Sequence, residues 1–406
     1  MPKLFKEKRD CCGCTACMSI CPTAAISMRS DEEGFKYPFV DEALCMDCGL
    51  CLKVCAFKRR SNEKESQEMP FVYAAKHRNE YVRMQSSSGG MFTALSDHIL
   101  NKNGAVYGAA YDEDIVCRHI RATTKEESAL CRGSKYVQSD IQETFKLIKK
   151  DLNDEKKVLF TGTPCQVDGL NAFLGKESNI ENLLTVDFIC HGVPSPKVFA
   201  EYIKHHEEGS KKKIVEYYNR CKDKGWGHTE KVVYEDGSFD HTSMLSQSWK
   251  YLFYANVTLR PSCYRCPYTQ VKRCSDITIA DFWGADKSIP EFSDEKGISL
   301  ILVNTEKGKE YLNMLHSDML FLESDINTCI SMQGNLRRPT IVDSKKRKQF
   351  WVDYHTKGIS YVLKRYGRNN TYGRIKRYFT DKDRWFAHLV EHLFQVKKQF
   401  KRGRSI

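Results

Sequence analysis

Cys11, Cys14, Cys17 and Cys21 stand at C-x2-C-x2-C-x3-C with Pro22 next, and Cys45, Cys48, Cys51 and Cys55 repeat the run with Ala56 in the proline's place. Thiolates at these intervals suit iron. Three on a tight turn reach three irons of one 4Fe-4S cubane, while the fourth points to the neighbouring cluster. The expected ligand groups are therefore Cys11, Cys14 and Cys17 with Cys55, and Cys45, Cys48 and Cys51 with Cys21. Two zinc sites are the alternative, because paired thiolates also suit tetrahedral zinc; zinc pairs, however, are usually well separated along the chain. Cys12 falls outside the register and is not assigned as a ligand.

The chain of 406 residues has room for two or three domains. Eighteen cysteines are too few for a disulfide scaffold of this length. The opening "MPKLFKEKRD" is charged rather than apolar, and no apolar run approaches 18 residues. A cytoplasmic protein in a reducing compartment is expected, where clustered cysteines mean metal or redox chemistry. The two cysteine runs flank a strand-like insert, "GFKYPFVDE", and residues 1–58 resemble the bacterial 4Fe-4S dicluster ferredoxin fold. The stretch 59–70 is polar and reads as a linker.

The elements that must position any further chemistry alternate strand and helix. "FVYAAKH" and "AVYGAAY" read as strands, and Met91, Phe92, Leu95, Ile99 and Leu100 share one helical face between them. "SDIQETFKLIKKDLND" reads as an amphipathic helix capped by Ser139. "KVLFTGTPCQVDGLNAFLG" and "NLLTVDFICHGVPSPKVFAEYIKHH" are each strand, turn and helix, and "EKVVYEDGSFDHT" is a hairpin turning at Asp236-Gly237. This order predicts an α/β body with a largely parallel sheet. Cys165 and Cys190 fall where strands end, at the edge on which such sheets bind ligands. With the Cys263-x-x-Cys266 loop they supply four thiolates for a third cluster. Cys274 competes for a ligand position, and the bland alternative is that Cys165 and Cys190 are ordinary buried thiols. Cys117, Cys131, Cys221 and Cys329 have no partner spacing and read as structural.

Six segments, "SSSGGMFTAL", "CRGSKYVQS", "FTGTPCQVDGL", "DFICHGVPSPK", "PSCYRCPY" and "SDITIADFWG", resemble the coenzyme F-420 hydrogenase/dehydrogenase beta-subunit family over residues 70–330. The resemblance implies FAD, a 4Fe-4S cluster beside it, and electron exchange with a small organic substrate or hydride carrier, with a flavin-binding N-terminal region at 71–155 and a C-terminal region at 156–336 that holds the third cluster and contacts the flavin. It strengthens the assignment of Cys165, Cys190, Cys263 and Cys266 to a third cluster. Ser86, Ser87, Ser88, Gly89 and Gly90 open a helix whose free N–H groups suit a pyrophosphate. Without the resemblance the same residues read more readily as a plain helix start. Lys135 and Tyr136 offer charge and stacking, and Thr161, Gly162 and Thr163 form another backbone-rich turn. His191, after Cys190, is a candidate proton donor, although such a residue more often hydrogen-bonds beside a cluster.

The net charge of +12 lies in the tail: residues 337–406 carry 20 Lys+Arg against 5 Asp+Glu. Within it "RWFAHLVEHLFQVKKQF" has helical periodicity. Docking an acidic electron donor, contact with an anionic membrane surface, and simple packing on the body are the competing roles. No nucleic-acid motif is present. The sequence thus points to a flavin and iron–sulfur oxidoreductase with a redox partner protein. A non-catalytic electron-transfer subunit of a larger complex is the alternative.

Overall fold

The computed structural model describes residues 2–60, 69–175 and 179–369. The cysteine repeat is built on an antiparallel ribbon, β1 (Ile26–Ser30) against β2 (Lys36–Val40), with Ile26 opposite Val40. The Asp31 carboxylate accepts from the amides of Glu33 and Phe35 and so closes the ribbon's turn. Each cysteine run bends through a left-handed residue, Thr15 or Gly49, into a one-turn helix, Ala16–Ser19 or Leu50–Lys53, which carries the run's third cysteine.

The body follows with strands β3 (Phe71–His77), β4 (Ala105–Tyr111), β5 (Cys117–Ala122), β6 (Val158–Thr161) and β7 (Leu183–Phe188). After these come β8 (Ile214–Cys221), β9 (Thr229–Tyr234), β10 (Phe239–Asp240), β11 (Ile277–Asp281), β12 (Ser299–Val303) and β13 (Met319–Ser324). Eight strands form one sheet in the order β13-β3-β12-β11-β7-β6-β4-β5. The four central strands, β11, β7, β6 and β4, run parallel, as the alternation of strand and helix requires. The edges are antiparallel, because β5 returns on β4 as a hairpin and β12, β3 and β13 add in alternating directions. Side chains alternate across the sheet as the pleat demands. Leu159 joins the Met91–Leu100 helix in one core, while Val158 and Phe160 join Phe145, Ile148 and Leu170 in the other.

A second, antiparallel sheet, β10-β9-β8, turns at Gly237 as the hairpin reading expects. It packs against the Pro196–Ser210 and Ser248–Tyr254 helices in an aromatic core containing Tyr202, Trp249 and Phe350. Phe350 lies on the Ser344–Arg365 helix, so the first part of the basic tail is a piece of the body. The amphipathic stretch at 384–400 lies outside the described residues, as does most of the polar linker. One helix starts later than its sequence suggests. It spans Thr144–Asn153, and Ser139 accepts from Gln166 Nε2 instead of capping it. Asp140 adds a bridge to Arg118 in β5, which holds residues 139–141 extended and delays the helix.

The cysteine repeat packs directly on the body. Ala16 and Val54 enter the core formed by Phe145, Val167 and Leu170. Arg260 is fully buried at this junction. Its Nε donates to Cys11 O at 2.8 Å, its terminal nitrogens to Lys36 O at 2.9 Å and Gln138 Oε1 at 3.0 Å, and its guanidinium lies 4.3 Å from the centre of the Tyr37 ring. Replacing Arg260 by methionine strands two buried carbonyls. It should cost about 3 kcal/mol or more, seen as a lower thermal midpoint and looser retention of iron. An unchanged midpoint would show that the junction does not rely on this side chain.

Candidate functional site

The two ferredoxin-like runs bring their thiols around two cavities. Cys11, Cys14, Cys17 and Cys55 line one, and Cys21, Cys45, Cys48 and Cys51 line the other. These are the groups expected from spacing. Cys51 borders both cavities. Among the described residues no three of these thiols draw their sulfurs within 4.8 Å of one another. A single tetrahedral zinc would hold its sulfurs about 3.8 Å apart, so the arrangement fits a multi-iron cluster better than one ion. Burial, together with Cys14, Cys11 and Cys55 close by, pushes the Cys17 thiol well up. Four thiols crowded out of water in this way favour a cation between them.

Two glycines show how tightly the body closes over the first cavity. Gly13, at φ +73°, leaves no room for a Cβ, which would meet the Arg260 guanidinium at 2.9 Å. Gly169, in the Pro164–Leu174 helix, leaves space filled by Cys14, whose sulfur would stand 2.8 Å from a Cβ there.

A third cavity is lined by Cys165, Cys190, Cys263 and Cys266. Cys165 sits in the first turn of the Pro164–Leu174 helix, Cys190 just beyond β7, and the other two on the short 3-10 turn Pro261–Arg265 and its cap. Burial first, then Cys263, Cys165 and Cys266, raises the Cys190 thiol far above its ordinary value. Cys274 does not line this cavity; its thiol donates to Pro164 O at 3.3 Å. Cys12, unassigned from sequence, borders both the first and the third cavities together with Phe57. No spacing rule could have found it, because its place depends on how the repeat docks.

Beyond the third set lies a cavity of about 410 Å³ at the carboxyl ends of the parallel strands. Thr163, Gln166 and the segment Cys190–Val193 line both cavities, so a single layer of residues separates them. Ser86, Ser87, Ser88, Gly90, Lys135, Tyr136, Thr161, Gly162, Thr163 and His191 all face the large cavity. Gly89 has a different task. A Cβ there would meet Ala75 O at 2.2 Å and Ser299 N at 2.6 Å, so it lets the turn lie against β3 and β12. The Lys135 ammonium donates to Leu130 O and Arg132 O, both at 2.8 Å, finishing the preceding helix. Tyr136 stacks on Phe253 with ring centres 4.6 Å apart. His191 Nε2 pairs with Asn256 Oδ1 at 2.7 Å, and burial lowers its basicity.

Behind the serine-glycine turn stand cations that no local motif announced. Arg220 pairs with Asp281 and donates to Ser87 O; Arg83 pairs with Asp294. Lys222 Nζ donates to Ser88 O at 2.7 Å and Arg83 O at 2.6 Å. Burial, then the charges of Arg83 and Arg220, lowers Lys222 to about 7. Free N–H groups at a helix start suit an anion, while Asp281 and Asp294 offset the two guanidinium charges behind the turn. At the rim Trp283 stacks on Trp226, with ring centres 5.0 Å apart.

The fold and these cavities define an iron–sulfur electron-transfer protein. Residues 10–58 match the 4Fe-4S dicluster domain. Residues 72–146 match the N-terminal part, and residues 155–328 the C-terminal part, of the coenzyme F420 hydrogenase/dehydrogenase beta-subunit family. The chain belongs to this family of oxidoreductases, with a dicluster domain ahead of it. It is 26% identical over 162 residues to the coenzyme F420-dependent sulfite reductase of Methanocaldococcus jannaschii. That match takes in 39% of this chain but only 24% of the other, so the chain spans about a quarter of that relative's length. An uncharacterized protein of the same organism, MJ1349, is 22% identical over 75% of this chain and 86% of its own. A chain of the F420-reducing NiFe hydrogenase complex from Methanosarcina barkeri aligns with a TM-score of 0.46 and 17% identity, over 73% of this chain and 97% of that one.

The Lys222 environment has a measurable consequence. Its folded value lies below the 10.5 of the unfolded chain, so between about pH 7 and 10.5 the unfolded state binds the extra proton. Wild-type stability should therefore rise with pH across that window relative to Lys222→Met. Thermal midpoints of the two proteins measured from pH 7 to 10 check this, and parallel curves would mean that Lys222 is not held neutral by burial.

Proposed function

We propose that the chain is an FAD- and 4Fe-4S-dependent oxidoreductase, relaying single electrons to two-electron chemistry on a small organic substrate or hydride carrier. The observation that carries this reading is the continuity of the four cavities. Cys51 joins the first pair, Cys12 and Phe57 the next, and Cys190–Val193 the last. Three clusters would be held by Cys21, Cys45, Cys48 and Cys51; by Cys11, Cys14, Cys17 and Cys55; and by Cys165, Cys190, Cys263 and Cys266. FAD would place its diphosphate at the turn Ser86–Gly90, against the cations behind it, with Thr161–Thr163 and Tyr136 along the same cavity. When bound, the clusters carry electrons singly and the flavin exchanges them in pairs.

The chain's own residues prepare this. Cys190–Val193 forms a wall shared by the large cavity and the third thiol set. The helix N–H groups at Ser86–Gly90 would meet the anionic end of a ligand, and Arg220 and Lys222 hold that turn through Ser87 O and Ser88 O. His191, tied to Asn256, orients the wall and is held neutral near pH 7 by burial.

A redox partner protein would dock where Cys48 is exposed, beside Leu44 and Met46, whose side chains stand 52% and 65% exposed. That collar also favours a second reading, in which the chain is an electron-transfer subunit and the partner performs the catalysis. The named sulfite reductase makes a deazaflavin the first carrier to try.

Anaerobically reconstituted protein should contain about 12 iron and about 12 sulfide per chain, with about one FAD. Cys165→Ser should lose about 4 iron, whereas Cys274→Ser keeps the full content. About 8 iron in the wild type would remove the third cluster, and absence of flavin would overturn the flavoenzyme reading. Reduction of a dye or deazaflavin by the isolated chain separates enzyme from subunit.

A further inference from the structure

Cys221, Asp223 and His241 line none of these four cavities, yet their ligand atoms all lie within 4.8 Å of one another. The fold brings them together from two places. Cys221 ends β8 and Asp223 follows two residues later, while His241 comes directly after β10. The order β10-β9-β8 lays these strand ends on the same side of Lys231, which pairs with Tyr218 across β8 and β9. Asp223 Oδ2 is 2.9 Å from His241 Nδ1 and 3.1 Å from Lys231 Nζ.

We propose that Cys221, Asp223 and His241 form a zinc(II) site that clamps the base of the turn running from β8 to β9. One thiolate, one imidazole and one carboxylate are zinc ligands, and three protein ligands leave the fourth tetrahedral position for water. Zinc bonds of about 2.0–2.3 Å place neighbouring ligand atoms about 3.3–3.8 Å apart, so the Asp223–His241 pair would open slightly from 2.9 Å while all three ligand atoms already lie within 4.8 Å. Thiolate and carboxylate together cancel the charge of the ion. Lys231 competes for Asp223, but it has a second seat, since its Nζ also lies 4.4 Å from the centre of the Phe239 ring.

The turn so clamped is not idle. Lys222 in it donates to Ser88 O, and Trp226 in it donates to Asp281 Oδ1 at 3.2 Å and stacks on Trp283 at the cavity rim. Zinc at the base of the turn would therefore steady one wall of the large cavity. The site itself is argued independently of what that cavity binds.

The test uses cluster-loaded full-length protein, equilibrated anaerobically with micromolar zinc chloride, desalted, and assayed for zinc and iron together. Wild type should retain about one zinc per chain with its iron unchanged. Cys221→Ser and His241→Gln should each lose that zinc while keeping full iron and the zinc-free thermal midpoint. Lys231→Gln should bind zinc more tightly, because no ammonium then competes for Asp223. Wild type retaining no zinc, equal zinc in wild type and both ligand variants, or weaker binding by Lys231→Gln would overturn the site. Iron and FAD in the same samples report separately on the cluster and flavin readings.

Discussion

One buried guanidinium ties the two halves of this protein together across a junction that Ala16 and Val54 also pack. Arg260 sits at the head of the turn that carries Cys263 and Cys266, and it reaches back to the carbonyls of Cys11 and Lys36 in the cysteine repeat. A buried cation is costly unless its donors are matched, and here they meet carbonyls, an amide oxygen and the faces of Tyr37 and Phe35. Burial raises the Cys11 thiol, and the Arg260 charge beside it offsets part of that rise. The same side chain therefore fixes the distance between two sets of thiols and offsets part of their charge. Gly13, Gly169 and Cys12 occupy the space that this docking leaves.

From that junction the rest follows by packing. The parallel centre of the large sheet aims the ends of β6, β7 and β11 at one edge, and the residues just past those ends build the walls of two adjoining cavities. The smaller sheet contributes from its own edge, sending Arg220 and Lys222 behind the serine-glycine turn and Trp226 to the rim. The large cavity is thus assembled from both sheets, with its positive side at the free N–H groups of the Met91–Leu100 helix. No helix among the described residues is long and apolar enough to cross a membrane.

What could be read in the sequence was whatever depends on local spacing. The cysteine runs, the strand-turn-helix units and the turn at Gly237 are set by residues within a few positions of one another. Cys165, Cys190, Cys263 and Cys266 are distant in the chain, but strand ends and a C-x-x-C loop mark them. Arg260, Lys222, Arg220 and Cys12 carry no such mark, because their roles exist only once the repeat and both sheets are docked. Gly89 carries a packing demand that spacing does not show, and Ser139 does not cap the Thr144–Asn153 helix, for the same reason. A turn that suits a phosphate also has to fit between β3 and β12, and the residue after the expected cap, Asp140, bridges to Arg118 in β5.

In the proposed assembly, three one-electron centres on one chain lead to a two-electron site. Anaerobic titration of the reconstituted, flavin-loaded protein with a low-potential reductant counts the electrons it holds. Three clusters and one flavin should take up about five electrons per chain. An uptake of about two electrons, with no flavin bleaching, would rule out the third cluster and the flavin and leave only the dicluster domain.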